Sequence, residues 1–220
     1  MLLRRRQFAL AMVTAFTAAA LPTVTHAADD EATRLQRKGR AERYTKPTTA
    51  PKNSIDTGGA AIYVRAPIDV VRRVVTDYRN YEKTIKAFKK SKLLSRNKGI
   101  SEVYLEVPIL HGAATVWVVA LIGQPVVEGN EEKITARMLR GNVDDFRAVW
   151  PLRAVVSENT IVKLELLVDP SLPAPSSLVT PELCTASENA VTGVRKQAEK
   201  LQQAATQQVV QASQTQTTDI

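Results

Sequence analysis

Between Gly58 and Tyr81 the spacing of apolar residues changes from two to three and four. Ala60, Ile62 and Val64 alternate with Ala61, Tyr63 and Arg65, the pattern of a strand with one buried face. Ala66-Pro67 stops that strand, because proline offers no backbone donor and its fixed φ suits a first helical turn. Asp69 follows, near the positive end of the helix dipole. Val70, Val71, Val74, Val75, Tyr78 and Tyr81 then fall on one side of a helix, with Arg72, Arg73, Asp77 and Arg79 on the other. Tyr81, Ile85 and Phe88 predict a second short helix.

Alternation returns downstream. Ser91–Ser95 leads into a strand closed by the turn Asn97-Lys98-Gly99, and Val103, Leu105 and Val107 set one face of the next. Pro108–Gly112 reads as a turn. Ala113–Leu121 is apolar on both faces, as expected of a central strand or one facing a cavity. Ile134, Ala136 and Met138 mark another strand, and Gly141-Asn142 a hairpin turn. Phe146, Ala148, Trp150 and Leu152 follow in phase, then, after a turn at Ser157-Glu158-Asn159, Val162, Leu164, Leu166 and Val168. The crossing DPSLPAP (Asp169–Pro175) precedes Thr180-Pro181-Glu182, a start signal for a long helix with Leu183, Ala186, Ala190, Val194 and Leu201 on one face. Links this short force neighbouring strands to pair antiparallel. The expected fold is α+β: a curved antiparallel sheet of about six to seven strands around a long C-terminal helix, with two short helices after the first strand.

The ends of the chain differ from this middle. Arg4-Arg5-Arg6, the apolar stretch Ala9–Leu21 and Thr25-His26-Ala27 have the form of a signal peptide over residues 1–27, cut after Ala27. Arg5-Arg6-Gln7-Phe8 also fits a twin-arginine signal, so export by either route to the periplasm or outside is expected. Loss of that leader's three arginines lowers the formal charge from +8 to +5. Export makes nucleic acid an unsuitable partner and an anionic membrane a suitable one. Residues 28–57 are polar and predict a flexible or loosely docked extension with no core of its own, in which Asp29–Tyr44 could form a helical turn or two; residues 202–220, rich in Gln and Thr, predict disorder. The folded domain should span 58–201.

Three stretches carry a resemblance: VRAPIDVVRRVVTDYRNY at the strand–helix junction, FRAVWPL around Trp150, and DPSLPAP before the last helix. Over residues 58–200 the chain resembles the helix-grip superfamily known as SRPBCC or START-like, and within it the bacterial polyketide cyclase/coenzyme Q-binding group. The resemblance implies a cavity between sheet and last helix that takes a lipid, quinone or polyketide-like molecule, without a cofactor. It would be lined by Val103, Leu105, Val107, Val116, Val118, Trp150, Val162 and Leu164 from the sheet. Ala186 and Ala190 would form the helical wall, with Tyr78 and Tyr81 at the mouth. A monomeric carrier is the expected function, and a cyclase- or dehydratase-like enzyme in the same cavity the alternative.

Candidate chemistry is sparse. His111 sits in a turn, Cys184 is the one cysteine, and no spacing of His, Cys, Asp or Glu suggests a metal site. Adjacent Asp144 and Asp145 point to opposite faces of a strand and cannot act as a dyad unless a bulge intervenes. Arg147 is out of phase with Trp150 and should face solvent; a bulge would turn it inward, to anchor an acidic or ketone head group. The basic run from Lys83 to Lys98, with Lys86, Lys89 and Lys90 at its centre, could meet anionic lipid.

Overall fold

A computed structural model describes residues 24–48, 55–109, 114–155, 158–171 and 175–217. Its elements run α1 (Val24–Lys38), β1 (Glu42–Lys46), β2 (Thr57–Val64), α2 (Ile68–Val75) and α3 (Tyr81–Thr84). Then come β3 (Lys90–Asn97), β4 (Ile100–Ile109), β5 (Ala114–Ile122), β6 (Val126–Glu128), β7 (Glu131–Gly141), β8 (Val143–Val155), β9 (Asn159–Pro170) and α4 (Ser176–Thr217). The strands form one nine-stranded antiparallel sheet in the order β1-β2-β9-β8-β7-β5-β4-β3, with β6 beside β7. The sheet is larger than the expected six to seven strands because β1 and β6 add to it.

Cross-strand register fixes which residues share a face. Ile62 lies opposite Val162, Leu152 opposite Val162 on the other side, Trp150 opposite Ile134, and Val103 opposite Ala120. These residues form the inner face, and α4 covers it with Ala190, Val191, Val194 and Ala198. Each fully buried Leu, Ile or Val contributes about 1.5–3 kcal/mol relative to exposure. The helix lies close on the sheet because two glycines allow it. A Cβ on Gly58 would stand 2.6 Å from the Cys184 nitrogen, and one on Gly193 would run into the Thr84 carbonyl. Small residues at the contact are what let α4 sit on β2 and α3.

Four features depart from the sequence reading. The described residues 28–48 are more than a flexible or loosely docked extension: Ala32 and Leu35 of α1 are buried against Ala61 and Ile161, on the outer face of the sheet. Glu31 then reaches Arg153 at 2.9 Å and Lys163 at 3.1 Å, while β1 pairs along β2. The described part of the tail is not disordered either, since α4 continues to Thr217. Glutamine and alanine sustain a helix through intrinsic propensity without packing. That helix begins at Ser176, before the start signal, so Pro181 lies inside it. Its buried face takes in Cys184, Ser187, Val191 and Ala198, whereas Leu201 is 41% exposed.

Candidate functional site

The inner face has two unlike ends. At the end beneath α2, Ile62, Val64, Val71, Val75, Ile134, Leu152 and Val162 are all at most 1% exposed. Here the hydrophobic side of α2 closes directly on the sheet, as its valine pattern dictates. Arg72, from the other side of α2, reaches Glu132 of β7 with Nε and Nη2 at 2.5 and 2.6 Å, a two-pronged ion pair with a buried carboxylate. Hydrogen bonding to Glu132 raises the Arg72 pKa above its ordinary value.

Toward the opposite end the inward residues stay apolar but their cover becomes uneven, with Val118, Ala120, Val143 and Phe146 still buried. Val116, Ala136, Met138, Leu166, Val168 and Phe88 pack on the core yet are only partly buried, and Val107 is likewise half-buried. Ala186, one turn before Ala190 on α4, is also half-buried. The deepest of the expected lining residues, Val103 and Val162, belong to the solid core. Leu105, Val118, Trp150 and Leu164 are also buried, Leu105 and Val118 directly beside Val107 and Val116 in the register. Of the expected lining residues, Val107, Val116 and Ala186 are therefore the ones left partly open, and Met138, Leu166 and Val168 are partly open with them. These last three were legible as in-phase strand positions, but nothing in the sequence distinguished the open end from the closed one.

Polar side chains on the inner side are committed to holding the frame. Ser91 donates to the Tyr78 carbonyl, Thr160 to the Ala66 carbonyl at 2.8 Å, and Ser187 to the Gly58 carbonyl at 3.1 Å. Tyr81 is buried and its hydroxyl donates to the Val75 carbonyl; burial drives its pKa well above the ordinary phenol value. Tyr78, edge-on to Tyr81 at 5.7 Å, is pushed up to about 12 by burial, which outweighs the opposing pull of Arg96. Both tyrosines are buried rather than lying open at the rim.

Arg147 does not reach the interior. It shares the outer face with Leu167 and Arg137 and pairs with Asp145 at 2.8 Å; the β8 register shift falls between Val143 and Asp145 and leaves its phase outward. With Lys46, Thr57 and Glu165 it lines an outer-face hollow of about 220 Å³, separate from the apolar face. Another hollow, about 440 Å³, runs along α4 beside Gln203 and Gln207. Cys184 is buried, its thiol 3.4 Å from the Tyr44 carbonyl. His111 falls outside the described residues. Among the described residues no cluster of His, Cys, Asp and Glu could hold a metal ion, and no helix is long and apolar enough to cross a membrane.

Comparison with known proteins agrees with this architecture. Residues 64–195 match the family model described as polyketide cyclase / dehydrase and lipid transport. The match covers more than half of the chain, and the chain belongs to that family. No curated protein matches it. Among solved structures it is similar to a START superfamily protein from Mycobacterium smegmatis, at 18% identity and a TM-score of 0.58, over 65% of this chain and 97% of that one. It is also similar to a STAR-related lipid transfer protein from Xanthomonas axonopodis, at 14% identity and a TM-score of 0.61, over 72% and 93%. Human STARD10 aligns over 90% of this chain and 88% of its own, at 9% identity and a TM-score of 0.61. At these identities the likeness is one of fold: START-like helix grip.

Proposed function

We propose that this protein is an exported carrier that holds a hydrophobic small molecule (a lipid, a quinone or a polyketide-like compound) against the open end of its inner face. The observation that carries the reading is the change in burial along that face. Apolar side chains continue in strict phase through Val116, Met138 and Val168, yet the protein leaves them only partly covered. Apolar side chains left partly uncovered on a concave fold of this kind favour a binding site. The name of the family and the lipid transfer title of the Xanthomonas axonopodis neighbour favour the same class of ligand.

The inner polar groups favour carriage over catalysis. An acid–base pair needs two groups free to reach the reacting atoms. Glu132 is engaged by Arg72, and the hydroxyl of Tyr81 by the Val75 carbonyl. Export is proposed from the leader-like residues 1–27.

Native mass spectrometry of the protein purified from cells tests the reading. A co-purified lipid or quinone, lost on substitution of Met138 by a charged residue, is the expected result. Absence of binding across a broad panel of lipids, quinones and aromatic polyketides would sink it.

A further inference from the structure

The outer face of the sheet is covered unevenly. Helix α1 packs on one half, over Ala61 of β2 and Ile161 of β9. On the other half the register assembles a different surface. Lys92, Tyr104, Val119 and Arg140 line up across β3, β4, β5 and β7, and beside them run Lys90, Glu106 and Trp117. The rings of Tyr104 and Trp117 stack at 6.2 Å with 24° between planes, and both remain half-exposed. Lys89, Lys90, Lys92, Arg137 and Arg140 are exposed around them, while the acids next to the ring pair, Glu102 and Glu106, are fewer. Glu106 is already held by Tyr104 at 2.9 Å and by Lys90 at 3.2 Å. Leu139, at the irregularity in β7, is 50% exposed.

The structure assigns this aromatic and cationic half of the outer face to docking on an anionic membrane surface. The basic run does not act as a single patch. Arg96 turns toward Ser101, at 3.2 Å, and Lys98 sits in the β3–β4 turn at the other end of the strand. Lys89, Lys90 and Lys92 are the members that join the aromatic pair, and the arginines of β7 complete the ring from a distant part of the sequence. Indole and phenol rings suit the boundary between head groups and acyl chains, and the surrounding cations suit anionic head groups. Lys89 and Lys90 also lie at the same end of the sheet as Val107 and Val116. A docked protein would therefore hold its open apolar end near the bilayer. The docking itself does not depend on the carrier reading.

The two tryptophans provide the test, because Trp117 lies on the outer face and Trp150 is buried on the inner one. With the full chain as it exists in purified form, co-sedimentation is measured on phosphatidylglycerol vesicles and on phosphatidylcholine vesicles. Binding to the former alone, weakening as salt rises, is expected. In Trp150→Phe, quenching of Trp117 fluorescence by brominated phosphatidylglycerol is expected; in Trp117→Phe, quenching by the docked bilayer should be lost. Lys92→Glu combined with Arg140→Glu should weaken vesicle binding by roughly 30-fold or more, whereas Arg37→Glu, on α1, should leave it unchanged. Circular dichroism checks that each variant is folded, and retained ligand binding in the Lys92/Arg140 variant separates docking from carriage. The proposal is overturned if wild type ignores anionic vesicles at low salt, or if the folded double variant binds them as wild type does. Retention on immobilised heparin without vesicle binding would also overturn it, in favour of an acidic polymer.

Discussion

The two ends of the inner face are built from the same residue types and are covered to different extents. Under α2, valine, isoleucine and leucine meet a second apolar surface and disappear from solvent. At the other end Val116, Met138 and Val168 have the same alternation but only partial cover. Composition therefore does not distinguish deep core from part-covered face in this fold; what packs across from each residue does. The closed end should determine stability and the open end affinity, and the two should separate under mutation.

The largest effect is expected at Leu152, which is fully buried. Leu152→Ala should cost about 2–5 kcal/mol in chemical denaturation, the range for cavities that neighbours cannot fill. A cost near zero would mean that the closed end is not the rigid part. Gly193→Ala comes next, because its methyl would meet the Thr84 carbonyl; a loss of about 1–3 kcal/mol is expected from overpacking α4 against α3. At the open end, Ala186→Leu should change stability by no more than about 1 kcal/mol, since the site is only half-buried. It should nevertheless weaken lipid or quinone binding in titration by occupying the wall, and equal losses of stability and affinity would collapse the distinction between the ends.

The smallest effect concerns the outer face. Burial opposes ionisation of Glu31, but Lys163 and Arg153 together outweigh it and hold the carboxyl below its ordinary value of 4.5. A depressed folded pKa means that its stabilisation is present above 4.5 and is lost as pH falls through the folded value. Glu31→Gln should thus lower the melting temperature slightly at neutral pH. The gap to wild type should close as acid is added below pH 4.5, and a gap that persists there would assign the loss to packing instead.

The central fold was legible because its periods are clean. Ala60/Ile62/Val64 and Val70/Val71/Val74/Val75 announce a strand and a helix from local spacing, and the turns at Asn97-Lys98-Gly99 and Gly141-Asn142 delimit strands that the structure contains. Alternation also placed Arg147 outward. Of the N-terminal elements, β1 was not legible and α1 was legible only as a helical turn or two within Asp29–Tyr44. Helix α1 buries Ala32 and Leu35 but shows no wider apolar stripe, and β1, with the sequence ERYTK, shows no apolar alternation. Helix α1 is held by the sheet surface beneath it, and β1 by its pairing along β2. The site was legible only as a set of faces, because alternation gives Val103 and Val107 the same phase on one strand, yet one is fully buried and the other half-buried.

Strand β1 has one more consequence, for how copies of this protein behave toward one another. Without it, β2 would end the sheet with a row of unpaired backbone groups along Gly58-Gly59-Ala60-Ala61, a flat strand with little side chain to fend off a neighbour. Such a margin recruits strands from other molecules. Glu42, Arg43 and Lys46 place charge along the margin instead, and at the far side β3 carries Lys90 and Lys92 beside a break in register. Charged borders of this kind disfavour edge-to-edge growth at both limits of the sheet, so a short polar strand near the chain's beginning acts as a guard against aggregation.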